Sequence, residues 1–141
     1  MSVKVFVDSN VWLYAFIRSD ELKWERARSI VRGSGVIVST QVINEVCVNL
    51  IKKAGLSEEE IRDLIITFYN RYPVVELDRW VLLKASEIRE RYGFSFWDSL
   101  IVAAALKGEA DLLCSEDMQS GFEIDGLRIV NPFEAGERPL T

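Results

Sequence analysis

Four acids sit where apolar segments end in this chain, Asp8, Glu45, Asp98 and Asp117, and no histidine occurs among its 141 residues. Carboxylates without an imidazole have few routes to chemistry at neutral pH. The commonest is to hold a divalent cation that activates water. Four carboxylates converging without a cation would repel one another and raise one another's pKa values. A bound Mg²⁺ or Mn²⁺ removes that cost, and both take hard oxygen ligands, whereas zinc recruits His or Cys. The two cysteines, Cys47 and Cys114, are isolated in apolar surroundings without C-x-x-C spacing and read as small core residues. These residue types point to a metal-dependent hydrolase.

Each acid also has a plainer explanation. Asp8 or Ser9 would cap the helix that carries Trp12, Leu13 and Phe16, although Asn10 is placed to add a neutral oxygen to the same site. Glu45 lies on a helix whose Val42, Ile43, Val46, Cys47, Leu50 and Ile51 form one apolar face. Glu45 and Asn49 share the opposite side, where a solvated glutamate is ordinary and Asn49 would be a supporting polar group. Asp98 starts a helix, Leu100 to Leu106, that has no polar face and must be buried on most sides, so its carboxylate needs a donor, a cation or a cleft. A capping box from Ser95 to Asp98 would supply the donor. Asp117 ends Cys114-Ser115-Glu116-Asp117, where Ser115 would orient it or its neighbours, and a polar turn accounts for the same residues.

The elements that must position these residues alternate along the chain. Short β-branched runs at 3–7, 36–38, 74–77, 111–114 and 127–130 are separated by helical periods at 10–17, 21–32, 40–53, 58–71, 79–91 and 96–107, the pattern of a parallel sheet covered by helices. Ser57 to Glu60 has capping-box spacing, Gly55, Gly93 and Gly108 suit helix C-termini, and Pro73 opens a strand. Open parallel sheets bind ligands outside the carboxyl ends of their strands. The first, second and fourth strands and one buried helix start would deliver all four acids to one such edge.

The length fits one domain over residues 1–133, with a loosely held polar tail at 134–141. A net charge of −5 argues against nucleic-acid binding through bulk positive charge. It leaves room for a local rim from Arg18, Lys23, Arg26, Arg28, Lys52, Lys53 and Arg79. No segment approaches the roughly 20 apolar residues of a membrane span and no signal peptide is evident, so the expected compartment is the cytoplasm. Trp12, Trp24, Trp80 and Trp97 could stack on bases, but most of the four are expected in the core. The helices carrying Trp12, Trp24 and Trp80 offer a candidate dimer or partner face.

The segments Val5-Phe6-Val7-Asp8-Ser9-Asn10-Val11, Asn44-Glu45-Val46, Ser95-Phe96-Trp97-Asp98-Ser99-Leu100-Ile101 and Ser115-Glu116-Asp117 together resemble the PIN domain, the nuclease fold of toxin subunits in VapBC toxin–antitoxin pairs. The resemblance implies a three-layer α/β/α sandwich around a mainly parallel sheet of four to five strands. It also implies Asp8, Glu45, Asp98 and Asp117 as an acidic quartet, with Ser115 at a Ser/Thr position, Asn10 as a nearby polar group and Glu116 as the residue most easily confused with Asp117. Further implications are Mg²⁺ or Mn²⁺ dependence, single-stranded RNA as substrate, homodimerisation and a cognate antitoxin. The expected activity is endoribonuclease cleavage by metal-activated water. One rival is a non-catalytic binding module that keeps the acids to grip a basic partner. The other is a haloacid-dehalogenase-type phosphatase beginning at Asp8-Ser9-Asn10-Val11, in which Asn10 would stand where that chemistry needs an acid/base.

Overall fold

Strands and helices alternate through residues 3–134, the part of the chain that the computed structural model describes. The order is β1 (Val5–Val7), α1 (Ser9–Phe16), α2 (Glu21–Val31), β2 (Val36–Ser39), α3 (Thr40–Ala54), α4 (Glu58–Arg71), β3 (Val74–Val75), α5 (Arg79–Tyr92), α6 (Phe96–Lys107), β4 (Leu112–Cys114), β5 (Glu123–Ile124) and β6 (Leu127–Val130). Side-chain caps set where these helices begin. Asp8, Asp20, Ser39, Ser57, Asp78 and Ser95 each accept a first-turn amide, and Ser57 with Glu60 completes the expected capping box.

The sheet runs β3-β2-β1-β4-β6-β5, with every neighbouring pair parallel except β5–β6. From β1 the chain steps outward through β2 to β3, then crosses back to β4 on the other side of β1. Right-handed crossovers in opposite directions put their helices on opposite faces, so α1 to α4 cover one face and α5 with α6 cover the other. The result is the expected three-layer α/β/α sandwich. β1, β2 and β4 are buried almost throughout. On α6 every residue from Ser99 to Ala105 is buried, as its all-apolar sequence requires.

Three local expectations change. The sheet has six strands, not four or five, because Asp125 and Gly126 both adopt positive φ, 48° and 86°, and fold Glu123–Ile124 back on β6 as a tight hairpin. The third strand stops at Val75, short of the expected 77. Gly55 and Gly93 end their helices in the left-handed region, but Gly108 does not, its φ being −76°. Gly108 is instead placed where an added Cβ would meet Val75 and Ile37 side chains at 3.1 and 3.2 Å, and Glu109 takes the positive φ. Apart from Glu134, the tail expected at 134–141 lies outside the described residues. None of the described helices is long and apolar enough to cross a membrane.

The turn into β2 depends on Gly35. Its φ is +79°, and a Cβ there would stand 2.3 Å from the Val3 carbonyl oxygen, while its own carbonyl accepts the Val5 amide at 2.8 Å. Gly35→Ala is expected to cost about 2 kcal/mol or more, because backbone must move on both sides of the β1–β2 pair. Chemical denaturation checks this, and an unchanged midpoint would show that the turn can relax.

Candidate active site

The direction of strand-to-strand progression reverses between β1 and β4, which makes their carboxyl ends the topological switch point of the sheet. Asp8 follows β1 there, and Ser115 follows β4. The parallel ladder carries on past both strands: the Asp8 amide donates to the Cys114 carbonyl at 3.0 Å, and the Ser115 amide to the Val130 carbonyl at 3.0 Å. The two backbones are therefore held at adjacent positions. Their side chains meet, with the Ser115 hydroxyl donating to Asp8 Oδ2 at 2.8 Å while the Ser9 amide donates to Oδ1 at 2.8 Å. Asp8 is thus both the cap of α1 and a candidate ligand, since one carboxylate serves each purpose with a different oxygen.

The other acids arrive from three further elements. Glu45 comes from α3, whose start is set by Ser39 accepting the Val42 amide, and its carboxylate Oε2 lies 3.5 Å from the Gln41 amide. Asp98 comes from the first turn of α6, where the Ser95 hydroxyl accepts the Asp98 amide at 3.2 Å. Only that half of the expected Ser95–Asp98 box forms, so the Asp98 carboxylate is not consumed by capping. Asp117, the most exposed of the four, follows β4, and Asn10 donates to its Oδ2 at 3.1 Å. All four acids line one small cleft of about 180 Å³ together with Ser9, Asn10, Leu13, Gln41, Trp97 and Ile101.

Glu116 points elsewhere. Its carboxylate is taken by the Lys23 ammonium and by the Tyr14 hydroxyl at 3.1 Å, while its amide donates to Asn10 Oδ1 at 3.3 Å. Asn10 therefore braces the loop after β4 from both ends of its amide. Asn49 does not line the cleft; its side chain donates to the Glu45 carbonyl at 2.8 Å. No Lys or Arg lines the cleft either, so the expected basic rim is absent from its walls. Several of its candidates are engaged: Arg18 with Glu21, Lys23 with Glu116, Arg26 with the Pro132 carbonyl, and Arg28 over the Trp24 ring.

The Asp8 carboxyl feels its buried position most. Burial, against the opposing bonds from Ser115 and Ser9, pushes its carboxyl up from 3.8 to about 6, and the charges of Glu45 and Asp98 push the same way. The hard-oxygen donor set fits a divalent cation of the Mg²⁺ or Mn²⁺ type. Gln41 adds a neutral oxygen, Oε1, that is buried and without a hydrogen-bond partner among the described residues. Among those residues no group of three or more His, Cys, Asp or Glu is drawn together closely enough to hold a metal as it stands.

Residues 5–122 match the PIN domain family. The chain belongs to that family. No curated protein matches it in sequence. Among solved structures, the fold is similar to a toxin–antitoxin complex from Klebsiella pneumoniae, with a TM-score of 0.70 at 16% identity over 93% of this chain and 99% of that one. It is similar to VapC20 of Mycobacterium tuberculosis, a sarcin-ricin loop cleaving toxin, with a TM-score of 0.60 at 19% identity over 78% and 87%. It is also similar to DNA-bound VapBC from Salmonella typhimurium, with a TM-score of 0.63 at 19% identity over 90% and 96%.

A larger cavity of about 670 Å³ lies at the other end of this PIN domain, near the amino ends of β1 and β2. Trp12, Phe68 and Tyr72 line it with Lys4, Arg28, Arg32 and Arg71, and no carboxylate does. It is larger than the acidic cleft but holds no group able to carry that cleft's chemistry.

Gln41 lines the cleft without having been singled out in the sequence, although it had a readable signal, since it lies one turn before Glu45 at the start of the helix after β2. Trp97 was one of four tryptophans able to stack on bases, and helical periodicity does not say which aromatic of an apolar helix start stays outside. Trp12 is buried against Phe68 and Tyr72, as expected for core, and it is not part of a partner face. Trp24 is half-buried and lies between the Arg18 and Arg28 guanidinium groups. Trp80 and Trp97 are exposed, so the tryptophans are not mostly core.

Proposed function

We propose that this PIN domain is a divalent-metal-dependent endoribonuclease that cleaves single-stranded RNA, and that it serves as the toxin of a toxin–antitoxin pair. The observation that carries the reading is the convergence of Asp8, Glu45, Asp98 and Asp117, from four separate elements, on one cleft at the switch point of the sheet. Asp8, Glu45 and Asp98 would hold the ion, with Asp117 completing the site through water. When bound, Mg²⁺ or Mn²⁺ supplies charge to a phosphate and lowers the pKa of water for in-line attack. Ser115 fixes the Asp8 carboxylate, Asn10 fixes Asp117, and the Gln41 amide steadies Glu45. The phosphatase alternative lacks its acid/base, because Asn10 stands in that place and an amide does not transfer protons near neutral pH; its two ends brace Asp117 and the Glu116 backbone instead.

Similarity to toxin–antitoxin complexes supports a cognate antitoxin, and an acidic cleft with no base of its own would accept an arginine from such a partner. Exposed Trp80, Leu82 and Leu83 on α5 support a homodimer face. A protein of this kind works in the cytoplasm.

The test is incubation of purified protein with a mixed single-stranded RNA pool in Mg²⁺, in Mn²⁺ and in EDTA. Metal-dependent cuts bearing 5′-phosphate ends are expected. Products ending in 2′,3′-cyclic phosphate would mean that the RNA's own 2′-hydroxyl was the nucleophile and would sink this mechanism. Folded, metal-replete protein that cuts nothing while holding a basic partner would favour the binding module.

A further inference from the structure

Trp97 is 62% exposed, more than Phe96 beside it at 55%, although an indole of its size normally goes to the core. It sits at the second position of α6, next to Asp98, and forms part of the wall of the acidic cleft. Its neighbours define its place. The Phe96 ring meets it edge-on, with centroids 5.4 Å apart and planes at 75°. The Arg89 guanidinium lies 4.2 Å from the centre of the Phe96 ring and donates to the Ser99 hydroxyl at 2.7 Å. That hydroxyl, fully buried, donates in turn to the Phe96 carbonyl at 2.6 Å, and the Trp97 carbonyl accepts the Gln41 amide at 3.4 Å. An open aromatic ring therefore stands at the mouth of the cleft, with the Phe96 ring against its edge and its backbone tied to Gln41.

The cleft offers a polynucleotide no cationic side chain, since none of its lining residues is Lys or Arg. Within the cleft, phosphate would be attracted only through the ion, and a further contact to the strand there would be made to its bases. An exposed indole is the group on the cleft wall suited to that, because every base has a π-face to stack on it.

We propose that Trp97 is a stacking platform for the base next to the scissile phosphate, a positioning residue for single-stranded substrate. This rests on the nuclease reading of the adjacent acids. Stacking is tolerant of base identity, so Trp97 would set the position of the strand and leave its sequence preference to other contacts.

The experiment measures KM and kcat in Mg²⁺ on one single-stranded RNA oligonucleotide cut at a single position, for the wild type, Trp97→Ala and Trp97→Phe. The same oligonucleotide with an abasic nucleotide on either side of the cut is run in parallel. Trp97→Ala should raise KM about thirtyfold with kcat little changed, the middle of the range for loss of one stacked base, while Trp97→Phe recovers most of it. An abasic site at one flanking position should raise the wild-type KM as much and add nothing in Trp97→Ala. Unchanged KM, or losses that simply multiply, would overturn the proposal. So would a KM change that accompanies conversion of a dimer to a monomer in sedimentation, which would make Trp97 a contact between copies of the chain. If the wild type cuts nothing, the nuclease reading fails separately. Tryptophan emission on adding the oligonucleotide then decides: quenching that Trp97→Phe removes while affinity persists upholds the platform, and absence of quenching overturns it.

Discussion

Asp8→Asn is expected to make the metal-free protein more stable at neutral pH and, at the same time, to abolish cleavage. The Asp8 carboxyl is raised from 3.8 to about 6 in the folded chain, so the folded state keeps a proton that the unfolded chain has released. Asp8 therefore destabilises the fold progressively as pH rises from about 4 through about 6, and the full difference at neutral pH is about 3 kcal/mol. Asparagine is nearly isosteric and never ionises, and its side-chain oxygen can keep one of the two bonds that Ser9 and Ser115 now make. Melting curves from pH 4 to 8 without divalent metal should thus fall across pH 4 to 6 for the wild type and stay flatter for Asp8→Asn. Mg²⁺ should reverse the order at pH 7.5, raising the wild-type midpoint more than that of the variant, since only a state that binds the ion gains from it. Cleavage should fall by about a thousandfold, the equivalent of several kcal/mol of transition-state stabilisation. Parallel pH curves for the two proteins would show that Asp8 burial is not what the fold works against.

Asp98→Asn should separate chemistry from folding more cleanly. The cap of α6 is made by the Ser95 hydroxyl on the Asp98 amide, which the substitution leaves in place, and the carboxylate is only half-buried. Stability should move by no more than about 0.5 kcal/mol, the range of substitutions away from buried networks. Cleavage should again drop by about a thousandfold, because a neutral amide is a poor ligand for a hard cation and leaves one negative charge fewer to hold it. Retained cleavage in a folded Asp98→Asn protein would remove Asp98 from the reaction. Unfolding would show that its carboxylate serves the helix start after all.

Much of the architecture could be read from local pattern. Val5-Phe6-Val7 and Val36-Ile37-Val38 are too short and too β-branched for helix, and the all-apolar run from Leu100 to Leu106 had to be buried wherever the chain put it. Asp8 and Asp98 could be singled out because each stands at the junction of such a segment with a cap. β5 was missed for a physical reason: two residues have no period, and its only trace was the Asp125-Gly126 pair, whose positive φ values make the hairpin. Gly108 was legible as a helix end but not as a close approach of α6 to β2 and β3, because that contact joins segments far apart in sequence.

The choice between Glu116 and Asp117 shows the boundary. Neighbouring residues in a loop carry the same charge and nothing local distinguishes them. The distinction comes from Lys23, 93 residues earlier, which α2 places against Glu116, and from Asn10, which α1 turns toward Asp117. The same holds for Trp97, left outside by the packing around α6, and for the basic rim missing from the cleft walls, since Arg18, Lys23, Arg26 and Arg28 are engaged elsewhere. Sequence by itself determined the order of elements, their caps and the arrival of acids at strand and helix ends, since those follow from periodicity and capping within a few residues. Tertiary structure alone decided which side chains share the cleft and which of its walls is open, because a side chain's direction depends on partners brought near only when the sheet is assembled.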